Sequence, residues 1–293
     1  MLMTVPFDLP AYLSRIGLAE APAADAEGLA LLQRAHRMTI PFENLDVLLG
    51  RGISIDPDAV FDKLVRRRRG GYCFEHNHLF LRALEALGFV ARPLLARVWL
   101  GTPDDGPVPA RTHCLSLVEL PDGPWIADAG FGGAYTPPLP LIDGAQATTP
   151  DDAVHLLMRD AVHGWILTRD GDLHATDARG VPQPGGGPIR QYSFTEDSVW
   201  PADLAQCNHH IATVPNHRFT TVAIVSIVLP RGFASLTDRH YRRRNGTDAV
   251  TTDITDPRVY RMRLSLVFGI DLEVAEVAAL NLFQSKTTSS GLT

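Results

Sequence analysis

Cys73 is the residue in this sequence whose position offers chemistry most directly. Gly70 and Gly71 lead through a tyrosine into the cysteine, and a run with mostly helical spacing follows it, up to a stop at Gly88. A helix start carries partial positive charge and free N–H groups, which favour a thiolate over a thiol. We therefore expect a helix from Cys73 and a thiol pKa below that of free cysteine. The alternative is a buried structural cysteine after a turn, which is the commoner situation for an arbitrary cysteine.

A cysteine nucleophile needs a base and a third group that orients the base. His113 lies within the alternating segment 111–117, and Asp128 ends the apolar segment 125–128. An aspartate among apolar residues is costly to bury without a partner, and a histidine would supply one. Each also has a plain structural interpretation, since His113 could bond to backbone in the core and Asp128 could cap the glycine turn after it.

Spacing alone leaves the identity of the base open. His76 follows Cys73 by three positions and could reach it on a helix, so it competes with His113. A tight hairpin centred on residues 122 and 123 would also place Asp128 opposite Leu117, four residues from His113. Simple hairpin pairing of that kind would not join the histidine and the aspartate.

The elements that must position these residues change character along the chain. The first ninety residues read as helical, with an N-cap at Asp56, Pro57 at the first helical position and arginines 66–69 at the end of that helix. The middle reads as strands, with a hairpin signal at Asp170-Gly171 and a glycine-rich linker at 180–188. The expected helices are 11–18, 25–38, 57–69 and 73–87, and the expected strands of the middle part are 89–100, 112–120, 125–128, 154–159 and 165–168.

The last third reads as mixed. Residues 219–229 predict one nearly continuous buried strand, 257–269 and 272–283 predict helices, and the small polar tail 284–293 is expected to fray.

Composition excludes several classes of protein. The 293 residues are 45% hydrophobic and 20% charged, which suits a globular chain of two or three domains, and the net charge of −6 argues against a protein that coats nucleic acid. The N-terminus does not resemble a signal peptide, and the most apolar run, 222–229, is too short to span a bilayer. Three cysteines without a C-x-x-C pair indicate neither a disulfide framework nor a zinc site. We expect a soluble cytoplasmic protein without a metal.

Four motifs, in order and spacing, resemble the arylamine N-acetyltransferases. They are 40–45 (IPFENL), 69–77 (RGGYCFEHN), Thr112-His113 and 128–133 (DAGFGG), where the alanine at 129 replaces a more usual valine. The likeness is strong over residues 25–135. It is loose in the last third, where it rests on 218–220 and 268–270, and weak at 207–210, where the family tends to place coenzyme and substrate contacts.

The resemblance implies a multidomain α+β fold with a papain-like cysteine triad. It implies an N-terminal helical bundle (1–92), a central β-barrel (93–198) and a C-terminal α/β lid (199–293). The triad would be Cys73, His113 and Asp128, with Glu43 and Arg69 paired beneath it. The other three arginines of the run are read as solvated. The turn formed by Gly130, Phe131, Gly132 and Gly133 would lie along the path of acetyl-CoA.

The activity implied is acetyl transfer from acetyl-CoA to an arylamine or arylhydrazine, by a ping-pong mechanism through an acetyl-cysteine, with a role in xenobiotic metabolism. Acetyl-CoA would be a co-substrate rather than a permanently bound cofactor, and the enzyme a monomer or dimer. Alternatives are an amide synthase of the same fold that closes a polyketide macrolactam, a cysteine hydrolase, and a catalytically silent binding module. No G-x-x-x-x-G-K-S/T loop is present, so the phosphates of CoA would have to be bound by the cleft.

Overall fold

Helices dominate the N-terminal part of the computed structural model, which describes residues 6–103, 106–170 and 188–284. Aspartates at 8, 25 and 56 cap three of these helices, each side chain accepting a backbone N–H of the first turn. The elements are α1 (Leu9–Ile16), α2 (Ala26–Thr39), β1 (Phe42–Glu43), α3 (Leu45–Leu48), α4 (Pro57–Phe61) and α5 (Cys73–Ala86), with a π-helical segment, Asp62–Arg66, following α4. The expected helix start at Cys73 is confirmed.

A chain of hydrogen bonds crosses the core between α1, α2 and α5. Tyr12 Oη lies 2.8 Å from His36 Nδ1, His36 Nε2 lies 2.8 Å from His76 Nδ1, and His76 Nε2 lies 3.1 Å from the carbonyl of Pro41. A carbonyl only accepts, so Nε2 of His76 carries a proton and the neutral chain donates in one direction, from Tyr12 to Pro41. Burial is the main cause that lowers the pKa of both imidazoles, which keeps them neutral.

The middle of the chain is an eight-stranded antiparallel sheet that nearly closes into a barrel. Its order is β5-β4-β3-β2-β9-β8-β7-β6, and the edge strands β5 and β6 lie against each other. Leucines, two isoleucines, an alanine and aromatic side chains fill its interior. The strands are β2 (Val90–Val98), β3 (Arg111–Leu120), β4 (Gly123–Ala127), β5 (Leu139–Pro140), β6 (Ala145–Thr148), β7 (Val154–Asp160), β8 (Gly164–Arg169) and β9 (Ile189–Phe194).

The β3–β4 hairpin resolves the distance problem raised by the sequence. Leu120 pairs with Gly123 and Ser116 with Ala127, so the turn is centred one residue earlier than expected. Continuing this register past the end of β4 brings Asp128 level with Leu115, only two residues from His113 on the same face. Such diagonal neighbours lie within reach of long side chains.

The C-terminal part is a second sheet covered by helices. Its order is β1-β10-β11-β12-β13, so the short strand β1 from the helical part forms one edge. The face that carries Val225 and Leu236 packs on Tyr260, Leu264 and Phe268 of the penultimate helix. The elements are α6 (Pro201–Thr213), α7 (Arg218–Thr221), β10 (Ile224–Leu229), β11 (Gly232–Thr237), β12 (His240–Asn245), β13 (Asp248–Asp253), α8 (Pro257–Phe268) and α9 (Val274–Ala279).

Two expectations for this region were wrong in extent. The strand expected over 219–229 begins only at Ile224, because residues before it form α7, at whose start the His217 ring nitrogen accepts the N–H of Phe219 at 3.3 Å. The helix expected over 272–283 is the shorter α9. The helix expected over 257–269 is confirmed and ends at Gly269, whose φ is 65°.

Some expectations fall wholly or partly outside the described residues. Gly171 of the Asp170-Gly171 turn, residues 180–187 of the linker and residues 285–293 of the tail are among these. The division at 92 and 198 into three domains stays a prediction. In the described ranges, no helix is both long enough and apolar enough to cross a membrane.

His155→Leu is expected to make the free energy of unfolding less dependent on pH between about pH 6.5 and pH 5. Burial, followed by the charge of Arg169, lowers the pKa of His155 to about 3, and neither ring nitrogen has a hydrogen-bond partner among the described residues. In this range the unfolded chain binds a proton that the folded chain does not, so stability falls as the pH falls, by up to about 1.4 kcal/mol per pH unit for this group.

Urea denaturation across this pH range measures the difference, with His209→Leu, at an exposed site on α6, as the control. The explanation fails if the wild type and His155→Leu have the same slope.

Candidate active site

Cys73 is the first residue of α5 and is only 3% exposed. The chain before it is held by Gly71, whose N–H donates to Pro41 O at 3.3 Å and whose carbonyl accepts from Glu43 N–H at 2.7 Å. A Cβ on Gly71 would lie 2.7 Å from Glu75 Oε2, so a larger residue would push the helix start away. The sulfur of Cys73 faces β3, where it lies 3.8 Å from the carbonyl of Thr112.

His113 and Asp128 form a buried pair. Nε2 of His113 lies 2.7 Å from Oδ2 of Asp128, and each residue is 2% exposed. The carboxylate can only accept, so Nε2 carries the proton and Nδ1 is left as the ring nitrogen available to a thiol. Phe131 and Tyr192 pack on the imidazole with ring centroids 5.2 and 5.3 Å away, which restricts its rotation.

The charge of Asp128 is stabilised by several donors. Besides His113, its Oδ1 accepts from Asn77 Nδ2 at 3.1 Å and from Gly130 N–H at 2.9 Å. Burial alone would raise the pKa of Asp128, but His113, Asn77 and the Gly130 amide together hold it below its usual value. Asp128 is therefore a carboxylate at neutral pH and can hold an imidazolium.

Sequence reasoning missed two side chains that fix Asp128. Asn77, one turn after Cys73, also donates to Cys114 O at 2.6 Å and accepts from Ala129 N–H at 3.0 Å. Gln33 on α2 accepts the N–H of Asp128 itself at 2.8 Å. The signal available in the sequence was a carboxamide side chain on the buried face of each helix, because a buried carboxamide requires hydrogen-bond partners.

The turn after Asp128 must approach the nucleophile closely. A Cβ on Gly130 would lie 2.7 Å from the carbonyl of Cys73 and 2.4 Å from Asn77 Nδ2, so a side chain at this position would separate α5 from the turn.

A cleft of about 70 Å³ joins the thiol and the imidazole. Three of the four residues expected along the acetyl-CoA path line it, whereas Gly133 does not and instead donates its N–H to Ser226 Oγ at 3.0 Å. The lining residues are Phe42, Cys73, Val98, Thr112, His113, Gly130, Phe131, Gly132, His217, Arg218 and Phe219.

The structure separates the two histidines that the sequence left open. Both ring nitrogens of His76 are engaged, with His36 and with Pro41 O, and His76 does not line the cleft. His113 does line it and has Nδ1 available. Of the two, His113 is the one that shares the cleft with Cys73.

The expectation of a lowered thiol pKa is wrong for the helix start alone. Burial raises the pKa of Cys73, and the negative charge of Asp128 adds to this, while the backbone N–H groups of Phe74 and Cys73 oppose both. The helix start is therefore not enough to keep a thiolate in this cleft. A positive charge on His113 would have to supply the remaining stabilisation.

Glu43 and Arg69 form the ion pair that the sequence led us to expect. Arg69 donates Nε and Nη2 to one oxygen of Glu43, at 2.9 and 2.7 Å, and Nη2 also lies 3.3 Å from Asp46. Lys63 continues the network, with Nζ 2.8 Å from both Asp46 and Glu75. Glu75 in turn accepts the N–H of the residue before Cys73 at 3.0 Å. The ion pairs thus connect to the backbone of the nucleophile.

Other arginines of the run lie in different surroundings. Arg67 pairs with Asp62 at 2.8 Å, but its side chain is 60% exposed. The run 207–210 lies on α6, and none of its residues lines the cleft.

A thiol at a helix start, an imidazole and a carboxylate around one cleft form the constellation used by enzymes with a cysteine nucleophile. Comparison with known proteins narrows this class. An N-acetyltransferase family model matches residues 25–277. The chain is 37% identical to an arylamine N-acetyltransferase of Mycolicibacterium smegmatis, over 90% of this chain and 92% of the relative.

Solved structures agree. The arylamine N-acetyltransferase of Salmonella typhimurium superposes with a TM-score of 0.82 at 35% identity, over 93% of this chain and 97% of its own. The Mycobacterium marinum enzyme, solved in complex with CoA, gives 0.80 at 30% identity, over 93% of this chain and 98% of its own. The chain belongs to the arylamine N-acetyltransferase family.

Arg69→Ala is expected to lower the free energy of unfolding by about 3–5 kcal/mol, because it leaves the fully buried carboxylate of Glu43 without its bidentate partner. Arg67→Ala, two residues away, removes an exposed pair and should cost less than about 1 kcal/mol. Chemical denaturation of the two variants beside the wild type checks this, and equal losses would show that Arg69 is no more structural than its neighbour.

Proposed function

We propose that this protein transfers acetyl from acetyl-CoA to an arylamine or arylhydrazine through an acetyl group carried on Cys73. The observation that carries the proposal is the buried 2.7 Å pair between Asp128 and His113, whose imidazole lines the same cleft as the thiol. Membership of the family supports the reaction class, and the CoA complex of the Mycobacterium marinum relative supports the donor.

The first half-reaction loads the cysteine. Nδ1 of His113 takes the proton of the Cys73 thiol, and the thiolate attacks the thioester carbonyl of acetyl-CoA. N–H groups of the first turn of α5 stabilise the oxyanion, a contribution typically worth about 3 kcal/mol per donor. The bond from the carbonyl carbon to the CoA sulfur then breaks, and the imidazolium returns its proton to the departing CoA thiolate.

The second half-reaction transfers the acetyl group from Cys73 to the amine. The amine nitrogen attacks the acetyl-cysteine while neutral His113 accepts a proton from the amine, and the bond from carbon to the Cys73 sulfur breaks. Asp128 holds the ring in the same tautomer in both halves. CoA leaves before the amine is acetylated, so the kinetics are ping-pong. The reaction needs Cys73 as a free thiol, which suits the reducing cytoplasm.

The relatives of this chain favour acetyl as the acyl group. The curated relative and the solved structure that it matches over nine-tenths of its length are both named arylamine N-acetyltransferases. We therefore favour the acetyltransferase over the amide synthase. Residues 199–293 would act as the lid, because His217, Arg218 and Phe219 complete the cleft from that side.

Intact-protein mass spectrometry after mixing with acetyl-CoA is expected to show one added acetyl group on the wild type and none on Cys73→Ala. Cys114→Ala is the matched control, because Cys114 is equally buried and its sulfur lies 3.7 Å from the carbonyl of Cys73. Addition of an aniline should remove the acetyl group and release acetanilide.

The other outcomes separate the alternatives. An acetyl group of equal abundance on Cys73→Ala, or none on the wild type, would contradict the proposal. Loading only by a carrier-bound acyl chain would favour the amide synthase, and rapid release of acetate without an amine would favour a hydrolase. If Cys73→Ala changes nothing except stability, the chain is a binding module.

His113→Gln is expected to raise the apparent pKa for alkylation of Cys73 by iodoacetamide. In the wild type the imidazolium compensates burial and the charge of Asp128, so alkylation should stay fast below the pKa of free cysteine, about 8.5. Without it, burial and Asp128 favour the thiol, and alkylation should become fast only above that value. Rates measured from pH 5 to 10 test this, and identical profiles for the two proteins would rule out the ion pair.

A further inference from the structure

Asn208 is a buried carboxamide on α6 to which neither the cleft nor the triad gives a role. It is 7% exposed, and its Nδ2 donates to the carbonyl of Ile53 at 3.1 Å. Its Oδ1 accepts a hydrogen bond from the hydroxyl of Tyr72. Both partners lie in the N-terminal part of the chain, so this side chain fastens α6 to the region that carries the nucleophile.

Tyr72 is the residue immediately before Cys73 and is fully buried. Its N–H is held by Glu75 and its hydroxyl by Asn208, so the residue is fixed at both ends. Its ring packs edge-on against Phe219, with centroids 5.8 Å apart. Burial raises the pKa of Tyr72, so the hydroxyl stays protonated and donates. A displacement of the Tyr72 backbone would move Cys73, because the two residues are directly bonded.

The same helix leads into the far wall of the cleft. After α6 the chain turns into α7, where Arg218 and Phe219 line the cleft opposite the thiol. Asn44 Nδ2 holds the carbonyls of Phe219 and Val222, each at 2.8 Å. Asn208 therefore lies where the wall from the C-terminal part meets the start of the nucleophile helix.

We propose that Asn208 is a positioning residue for acyl transfer, acting through the hydroxyl of Tyr72 to fix Cys73 relative to His113 and to the cleft wall. The proposal rests on the assignment of Cys73 as the acetyl carrier. Asn208 does not line the cleft and is not expected to touch either substrate. Its loss should reduce the rate of the chemical step while leaving the affinity for acetyl-CoA nearly unchanged.

Asn208→Leu, which keeps the branched shape of the side chain but removes both of its hydrogen bonds, is expected to slow acetylation of Cys73 about tenfold, because a nucleophile displaced by a fraction of an ångström reacts more slowly. The acetyl-CoA concentration that gives half the maximal rate should change by less than about twofold. Rapid-quench mass spectrometry over a range of acetyl-CoA concentrations measures both quantities.

Tyr72→Phe is the matched variant, because deleting one oxygen atom removes the hydrogen bond to Asn208 Oδ1 from the other side, together with the longer contact of the hydroxyl to the carbonyl of Asn208 at 3.4 Å. It should slow acetylation to a similar extent, and the double variant should be no slower than the slower single variant, since one interaction cannot be lost twice. Gln206→Ala, at an exposed position of α6 two residues away, should react like the wild type. Should Asn208→Leu not fold, Tyr72→Phe carries the test alone.

Alkylation of Cys73 by iodoacetamide keeps this inference separate from the proposed function, because it reports the placement of the thiol beside His113 without acetyl-CoA. A slower alkylation of both variants at neutral pH supports positioning even if the wild type takes no acetyl group. A wild-type rate of alkylation and acetylation in folded variants, with only a lower melting temperature, would overturn the proposal and leave Asn208 a structural brace. Additive losses in the double variant would overturn it as well.

Discussion

A negative charge buried beneath the cleft is the constraint on which the site depends. Asp128 is 2% exposed, and an isolated carboxylate at such a depth is unstable unless donors surround it. Those donors come from separate elements, His113 on β3, Asn77 on α5 and the amide of Gly130 in the turn that follows. Satisfying one carboxylate therefore requires the helical part and the barrel to meet at a single point. The thiol is on the same helix as Asn77, so its position is set by the same requirement.

A second group of buried charges fixes the other side of the nucleophile. Arg69 and Lys63 lie among the carboxylates of Glu43, Asp46 and Glu75. Although burial raises the pKa of Asp46, Lys63 and Arg69 lower it to about 2, so Asp46 is ionised at neutral pH. Burial raises the pKa of Glu75 to about 7 even though Lys63 opposes this shift. Removing one partner of a buried ion pair costs more stability than the intact pair contributes. The main effect of such pairs is to fix the relative positions of the residues that form them. Here the network of contacts extends to the N–H of Tyr72, which Glu75 accepts, one residue before the thiol.

The sequence predicted features that depend on local chemistry. Aspartate caps, Pro57 at a helix start and Gly269 at a helix end are short-range signals, and the structure places the helix boundaries beside them. The β3–β4 pairing was misjudged by one residue, because the local signal Asp122-Gly123 does not determine which residues face each other along the strands. That register decides whether Asp128 can reach His113. The short helix α7 was missed for a similar reason, since Phe219 and the β-branched Thr220 and Thr221 read as the start of the strand that follows.

Residues that support the site through long-range contacts could not be found from the sequence. Gln33 reaches an amide 95 positions away, and Asn208 reaches a hydroxyl 136 positions away. A carboxamide gives no indication of its partner, because it can donate and accept with almost any polar group. The resemblance located Cys73, His113 and Asp128 because they lie in short motifs, whereas their supports are single residues within ordinary helices. The structure was needed to connect them.

The raised pKa of Cys73 bears on when its sulfur can carry a negative charge. Burial and the charge of Asp128 both oppose a lone thiolate, so in the proposed mechanism a negative charge on sulfur would need a positive charge on His113 beside it. Asp128, which disfavours the thiolate directly, favours the imidazolium that makes it possible. With His113 as the proposed base, the two effects would couple the charge of the sulfur to the protonation of the imidazole, so that a proton would be ready for the leaving group. A thiol activated by the helix start alone would carry no such proton beside it.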